Sequence, residues 1–160
     1  MSSQVLTSQQ SPAIQAWVRL LRGHAAARRS LSAQLHAQHG LNVTDYEVLL
    51  LLSRAQEKAM RRVDLAEELQ LTASGVTRLL DGLEAQNFVE KKSCATDARV
   101  TYACLTDVGL KKLKEAASSH IAEIDNLFGE RFTQEEIETL ADLLGRLPGA
   151  GGVTETDCTA

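Results

Sequence analysis

The chain has 160 residues, 44% of them hydrophobic and 24% charged, which suits one folded domain with a core of its own and is too little for two full ones. Its longest apolar run, Val48-Leu49-Leu50-Leu51-Leu52, falls far short of the roughly 18 residues of a membrane span, and the N-terminus MSSQVLTSQQSP lacks the basic start and apolar stretch of a secretory signal, so a cytoplasmic protein without a membrane partner is expected. The net charge is −4, but the acid excess lies wholly in residues 103–160 (−6), against +2 for residues 1–53 and 0 for residues 54–102, so the sign of the whole does not exclude a polyanionic partner for the remainder.

In chain order, residues 1–11 are polar and expected to be disordered. Ser11-Pro12 reads as an N-cap followed by proline at N1. From there Ile14, Trp17, Val18, Leu21, Ala25, Leu31 and Leu35 recur at helical spacing to about His39, where Gly40 stops the helix. Thr44-Asp45-Tyr46-Glu47 reads as a capping box that opens a second helix to about Ala55. That helix is apolar nearly all round and belongs in the middle of the domain.

A short third helix is predicted over about 62–69, then a break at Gln70-Leu71-Thr72, then a fourth helix through Val76, Leu79, Leu80 and Leu83 with Asn87 as a left-handed terminator. Two strands follow, about 88–92 and 100–105, joined by a charged loop without glycine or proline. Thr106-Asp107 caps a long helix through Leu110, Leu113, Ala117, Ile121, Ile124 and Leu127. Thr133-Gln134-Glu135-Glu136 is another capping box, opening a helix with Ile137, Leu140, Leu144 and Leu147. The Gly/Thr-rich end, residues 148–160, is expected to be disordered.

Long amphipathic helices at both ends of so small a chain have no obvious internal partner. That predicts a homodimer in which the terminal helices of two copies pack together; the alternative is a monomeric bundle that folds its own ends together. Helix, tight turn, helix and hairpin is the winged helix-turn-helix order, whose second helix enters the major groove of duplex DNA. Small and polar residues gather at the start of that helix: Thr72, Ala73, Ser74, Gly75, Thr77 and Arg78. Short side chains let a helix N-terminus approach phosphates and base edges, and its dipole attracts them. Gly75 has two readings, close approach to DNA or packing against a neighbour.

The stretch VDLAEELQLTASGVTRLLDGLEAQNFVEKKSCATDARVTYACLTDVGLKKL resembles the core of the MarR (multiple antibiotic resistance regulator) family of dimeric winged-helix transcription regulators. The resemblance rests on Leu65-Ala66, Leu69, Thr72, Ser74, Val76-Thr77-Arg78, Leu83-Glu84, Val89-Glu90, Asp97-x-Arg99 and Leu105-Thr106-x-x-Gly109, and the flanking helices extend it over about 12–147. It implies a mainly α fold with a small β-hairpin wing, a single domain over 12–147, a winged helix over about 44–105, and dimerisation helices over about 12–39 and 106–147. Gln70 and Asn87 stand where the family often has glycine, and Ala98 replaces a frequent second arginine of the wing.

Under this resemblance the hairpin is a wing that carries Arg99 into the minor groove, where narrow A/T-rich stretches concentrate negative potential. Asp97 is expected to hold the wing or an arginine in place; the bland reading is an ordinary surface pair. Thr77 and Arg78 are candidates for base or phosphate contact, with Thr72 and Ser74 beside them at the helix start. Arg61, Arg62, Lys91 and Lys92 are candidate phosphate contacts, though lysines on an exposed strand also guard against edge pairing.

The three cysteines, Cys94, Cys104 and Cys158, show no CxxC or zinc-finger spacing, so neither a disulfide framework nor a structural metal is expected. The reactive cysteine that thiol-type members of the family carry in the first helix is absent. Folding the hairpin about Ala95–Thr96 puts Cys104 opposite Phe88. Cys94, near Lys91 and Lys92, is either a redox-responsive thiol of lowered pKa or an incidental exposed one. His36 and His39 have metal-ligand spacing without a third ligand; His24 and His120 fit core or interface positions. The resemblance further implies a small aromatic or phenolic anion as effector, for which Trp17, Arg22 and Tyr46 offer ring faces and a guanidinium; the alternative places Trp17 and Tyr46 in the core.

Three classes compete. The first is a dimeric DNA-binding regulator, in the repressor form that the resemblance suggests. The second is a winged-helix protein-interaction module without DNA binding, favoured by the acidic C-terminal third. The third, an enzyme, has no Ser-His-Asp set, phosphate loop or paired metal ligands behind it, and no cofactor is expected.

Overall fold

A computed structural model of the protein describes residues 11–93, 97 and 99–150. The disorder expected for the two ends therefore falls mainly outside the described residues. Helix α1 spans Pro12–His39, with proline in its first turn and Gly40 closing it at φ 70°, the Gly40 N–H donating to the His36 carbonyl. Ser11 occupies the N-cap position in extended conformation but makes no side-chain cap bond.

Helix α2 covers Val43–Arg54, and its start corrects the sequence reading. The capping box is Asn42 with Asp45: the Asn42 side chain accepts the Asp45 N–H at 2.9 Å and the Asp45 carboxylate accepts the Asn42 N–H at 2.9 Å. Two overlapping cap patterns compete here, and Arg28 of α1 decides between them. Its guanidinium grips Glu47 at 2.8 and 2.9 Å and donates to the Thr44 hydroxyl at 2.8 Å, removing both residues of the expected box.

A 3-10 turn at Gln56–Lys58 leads into β1, Ala59–Arg61, which the sequence reading did not foresee. Three residues are too few to show an alternating pattern. Helices α3 (Arg62–Glu68) and α4 (Ala73–Ala85), strands β2 (Val89–Ser93) and β3 (Thr101–Leu105), and helices α5 (Asp107–Gly129) and α6 (Gln134–Gly145) complete the chain. Gln70 and Asn87 both adopt left-handed backbone, φ 53° and 59°. The turn geometry that glycine would supply freely is thus kept, at a cost of about 1 kcal/mol or more for glutamine.

The sheet is antiparallel in the order β1-β3-β2. Its register pairs Glu90 with Cys104 and Val89 with Leu105, so Cys104 does not lie opposite Phe88 as expected. The cause is Thr106. Its N–H and hydroxyl both donate to the Phe88 carbonyl, at 3.1 Å each, which pins Phe88 opposite Thr106. The same hydroxyl reaches the Asn87 carbonyl at 2.6 Å and caps α5 by accepting the Gly109 N–H at 2.9 Å. A Cβ on Gly109 would fall 2.0 Å from the Phe88 carbonyl oxygen and 2.9 Å from Leu105 Cδ1. The Leu-Thr-x-x-Gly pattern is therefore a joint: threonine ties α5 to the hairpin base, and only glycine allows the approach.

Around α2 the core closes tightly. Val48, Leu49, Leu52, Leu65, Val76 and Leu80 are fully buried, with Leu83, Val89, Ala103 and Leu113 beside them. The outer helices differ. Leu35 is the one buried residue of α1, α6 has none, and Ile14, Trp17, Leu21, Phe132, Leu143 and Leu147 are exposed. Among the described residues no helix is long and apolar enough to cross a membrane.

Candidate nucleic-acid interface

Helix α4 buries Val76, Leu80 and Leu83 and turns its first residues outward. Thr72 caps it, its hydroxyl accepting the Gly75 N–H at 3.1 Å and lying 3.2 Å from the Ser74 hydroxyl. A Cβ on Gly75 would come within 3.2 Å of that capping oxygen. The glycine thus has a local packing reason. Thr77 is half-buried, its hydroxyl donating to the Ala73 carbonyl at 2.9 Å and accepting from Arg62 at 3.4 Å, a long contact. Arg78 is exposed and has no ion pair or side-chain hydrogen bond among the described residues.

The wing rises from the β2–β3 hairpin. At its tip the Asp97 carboxylate accepts the main-chain N–H of Arg99 at 2.9 Å, and the Val100 N–H donates to the Asp97 carbonyl at 3.0 Å. Asp97 thus holds the backbone on which Arg99 sits and forms no ion pair with its guanidinium. That leaves the exposed Arg99 side chain without a partner among the described residues.

The other cations differ. Arg61 is held by Asp64 through two contacts at 2.7 and 2.6 Å, which raises its pKa. Lys91 lies 2.6 Å from Asp81 and 2.8 Å from Glu84, both on α4, and Lys92 lies 2.5 Å from Glu90. The lysines are shifted upward by these carboxylates, and Glu84 is shifted downward, chiefly by Lys91. Of the expected phosphate contacts, Arg61, Lys91 and Lys92 are therefore engaged inside the chain. The acid pair at 81 and 84, one helical turn apart and facing β2, was the unread signal for Lys91.

Other expectations fare differently. Trp17, Arg22 and Tyr46 do not share a pocket within one chain. Trp17 is 57% exposed and Arg22 is exposed, whereas Tyr46 is buried with its ring 4.6 Å from that of His120. Arg28, which touches the start of α2, follows Trp17 by eleven residues, roughly 16 Å along a helix axis. Tyr46 belongs to the core and Trp17 to the surface. His120 is buried with Nδ1 lacking a partner among the described residues, and Gln34 Oε1 nearby is in the same state; both line a crevice with Leu31, Leu35 and Ser119. His39 Nε2 lies 2.7 Å from the Ser119 hydroxyl. No group of three metal-binding side chains occurs among the described residues. Cys104 is half-buried, and burial pushes its thiol pKa up. The redox reading of Cys94 lies outside the described residues.

The sequence model of the MarR family matches residues 39–100, the stretch from the end of α1 through α2, α3, α4 and the hairpin. The regulator MhqR of Bacillus subtilis is 29% identical over 128 residues, covering 80% of this chain and 86% of its own. The crystal structure of AbsC, a MarR family transcriptional regulator from Streptomyces coelicolor, superposes with a TM-score of 0.73 at 28% identity, over 84% of this chain and 90% of that one. Residues 39–100 are a MarR-family segment. A MarR-type architecture thus accounts for the mainly helical fold with its small antiparallel wing. The structure of S. aureus MepR in complex with DNA is also similar, at 25% identity and a TM-score of 0.67, over 80% of this chain and 93% of that one.

Proposed function

We propose that the protein is a homodimeric DNA-binding transcription regulator that acts as a repressor by occupying a pseudo-palindromic operator. In this reading the N-terminal end of α4 enters the major groove, and the wing lays Arg99 in the adjacent minor groove. The two copies join through the apolar faces of α1 and α6, which places the half-sites about one helical turn, roughly 34–36 Å, apart.

The observation that carries the reading is a contrast among cations. Of the cations expected at DNA, Arg78 on the outward face of α4 and Arg99 on the wing are exposed without a partner among the described residues, while Arg61, Lys91 and Lys92 are neutralised by neighbouring acids. Arg78 and Arg99 sit at the two places, recognition helix and wing, that a winged helix would present to a duplex. The MarR-family segment and the likeness to DNA-bound MepR support the same partner.

The test starts from genomic fragments selected by the purified protein. Arg99→Ala and Arg78→Ala are each expected to weaken binding to the selected fragment about tenfold or more, with melting temperatures unchanged. Wild-type affinity for both variants in a gel-shift titration would reject the mechanism.

A further inference from the structure

We propose that Lys91 is a positioning residue that braces the wing against the recognition helix and fixes where Arg99 arrives, without touching DNA itself. The proposal deepens the DNA-binding reading and rests on it.

Three contacts converge on this one residue from a single face of α4. The ammonium lies 2.6 Å from Asp81 Oδ1 and 2.8 Å from Glu84 Oε2, and the Lys91 main-chain N–H donates to Glu84 Oε1 at 3.3 Å. One lysine therefore joins the strand to two successive turns of the helix by both side chain and backbone. The brace is placed where it has leverage. β2 is buried at Val89 and exposed from Glu90 to Ser93, so the strand has no apolar anchor beyond its first residue. On the far side, β1 supports β3 only as far as the Arg61–Tyr102 pair, and Tyr102 lies opposite Lys92.

Past that point one further strand pair, Ser93–Thr101, leads toward the loop that carries Arg99. A tilt of the hairpin at its base would displace Arg99 relative to α4, and a minor groove about 6 Å wide leaves little room for that error. Lys91 also screens Asp81 and Glu84, two carboxylates on the helix that faces phosphates in the proposed complex.

Bracing, screening and direct phosphate contact can be told apart. Operator affinity is measured by fluorescence anisotropy across a salt series for wild type, Lys91→Met, Lys91→Arg and the double variant Asp81→Asn/Glu84→Gln, each with and without Arg99→Ala. All the substituted side chains are partly exposed, and melting curves verify folding. As a brace, Lys91→Met weakens binding about fivefold and leaves the salt slope unchanged, and Lys91→Arg restores wild-type affinity. Asp81→Asn/Glu84→Gln also weakens binding, although it removes negative charge, and the cost of Arg99→Ala shrinks in both unbraced backgrounds.

The proposal is overturned if Lys91→Met lowers the salt slope by about 0.9, the signature of one lost phosphate contact. It is equally overturned if Asp81→Asn/Glu84→Gln binds as well as wild type or better, which would reduce Lys91 to a screen. In both cases wild type still binds DNA and the proposed function stands. A wild-type protein that selects no DNA at any salt concentration overturns the function and the brace together.

Discussion

The DNA-reading lobe and the terminal helices are built to different degrees of completion. In the lobe the core between α2, α3 and α4 closes on itself: Leu49, Leu52, Leu65, Val76 and Leu80 have no exposed surface, and Val63 and Leu71 lie outside it. Along α6 nothing is buried, and Trp17, Leu143 and Leu147 stand about half exposed. Exposed apolar stripes of this kind on a folded protein mark contact surfaces. The lobe closes its core within one chain; the outer helices leave apolar side chains open.

Breaking the lobe should have the largest effect. Gly109→Ala drives a methyl group into the Phe88 carbonyl, and Leu80→Ala opens a cavity in the fully buried core. Each is expected to cost about 3 kcal/mol, measured by urea unfolding, with the loss independent of protein concentration. Changes in the outer helices should behave differently. Leu143→Glu should leave the lobe folded but shift the protein to monomers in sedimentation velocity and make operator binding far weaker. A dimer that survives Leu143→Glu unchanged would take α6 out of the interface.

The clamp between the two regions comes next. Arg28→Ala removes a bidentate contact to Glu47 and a bond to Thr44, but the pair is about one-third exposed, so a loss of about 1 kcal/mol is expected. The smallest effect is pH-dependent. Burial holds the His120 pKa below the ordinary 6.5, with Glu47 opposing the shift. The unfolded chain therefore takes up this proton more readily, so stability from this site is complete above about pH 6.5 and is lost as pH falls toward the folded-state value. The groups facing the ring are Glu47 from α2 and Glu123 on its own helix, with His39 of α1 bonded to the adjacent Ser119. His120→Phe should flatten that part of the Tm–pH profile; an unchanged slope would assign it elsewhere.

Much of this fold was readable before any coordinates. The limits of α1, the left-handed Asn87 and the Thr133 capping box follow from short-range rules about caps and backbone, which act within a turn of helix and so leave a local trace. Long-range choices leave none. Whether Asn42 or Thr44 caps α2 depends on Arg28, many residues earlier, and the hairpin register depends on Thr106 reaching back to Phe88. The candidate interface divides in the same way. Arg78 and Arg99 stood out as residue types in a pattern, but that Lys91 is engaged by Asp81 and Glu84 emerges only when strand and helix are brought together. Trp17 and Tyr46 share aromatic character and nothing in space.

The proposed grip of two winged helices on one duplex is tested most directly by hydroxyl-radical footprinting of the wild-type protein on a fragment it selects from its own genome. The account predicts two equivalent protected regions about one helical turn apart, each flanked by a minor-groove protection that vanishes with Arg99→Ala. A single unsymmetrical protected region, or flanking protections that persist in Arg99→Ala, would contradict it.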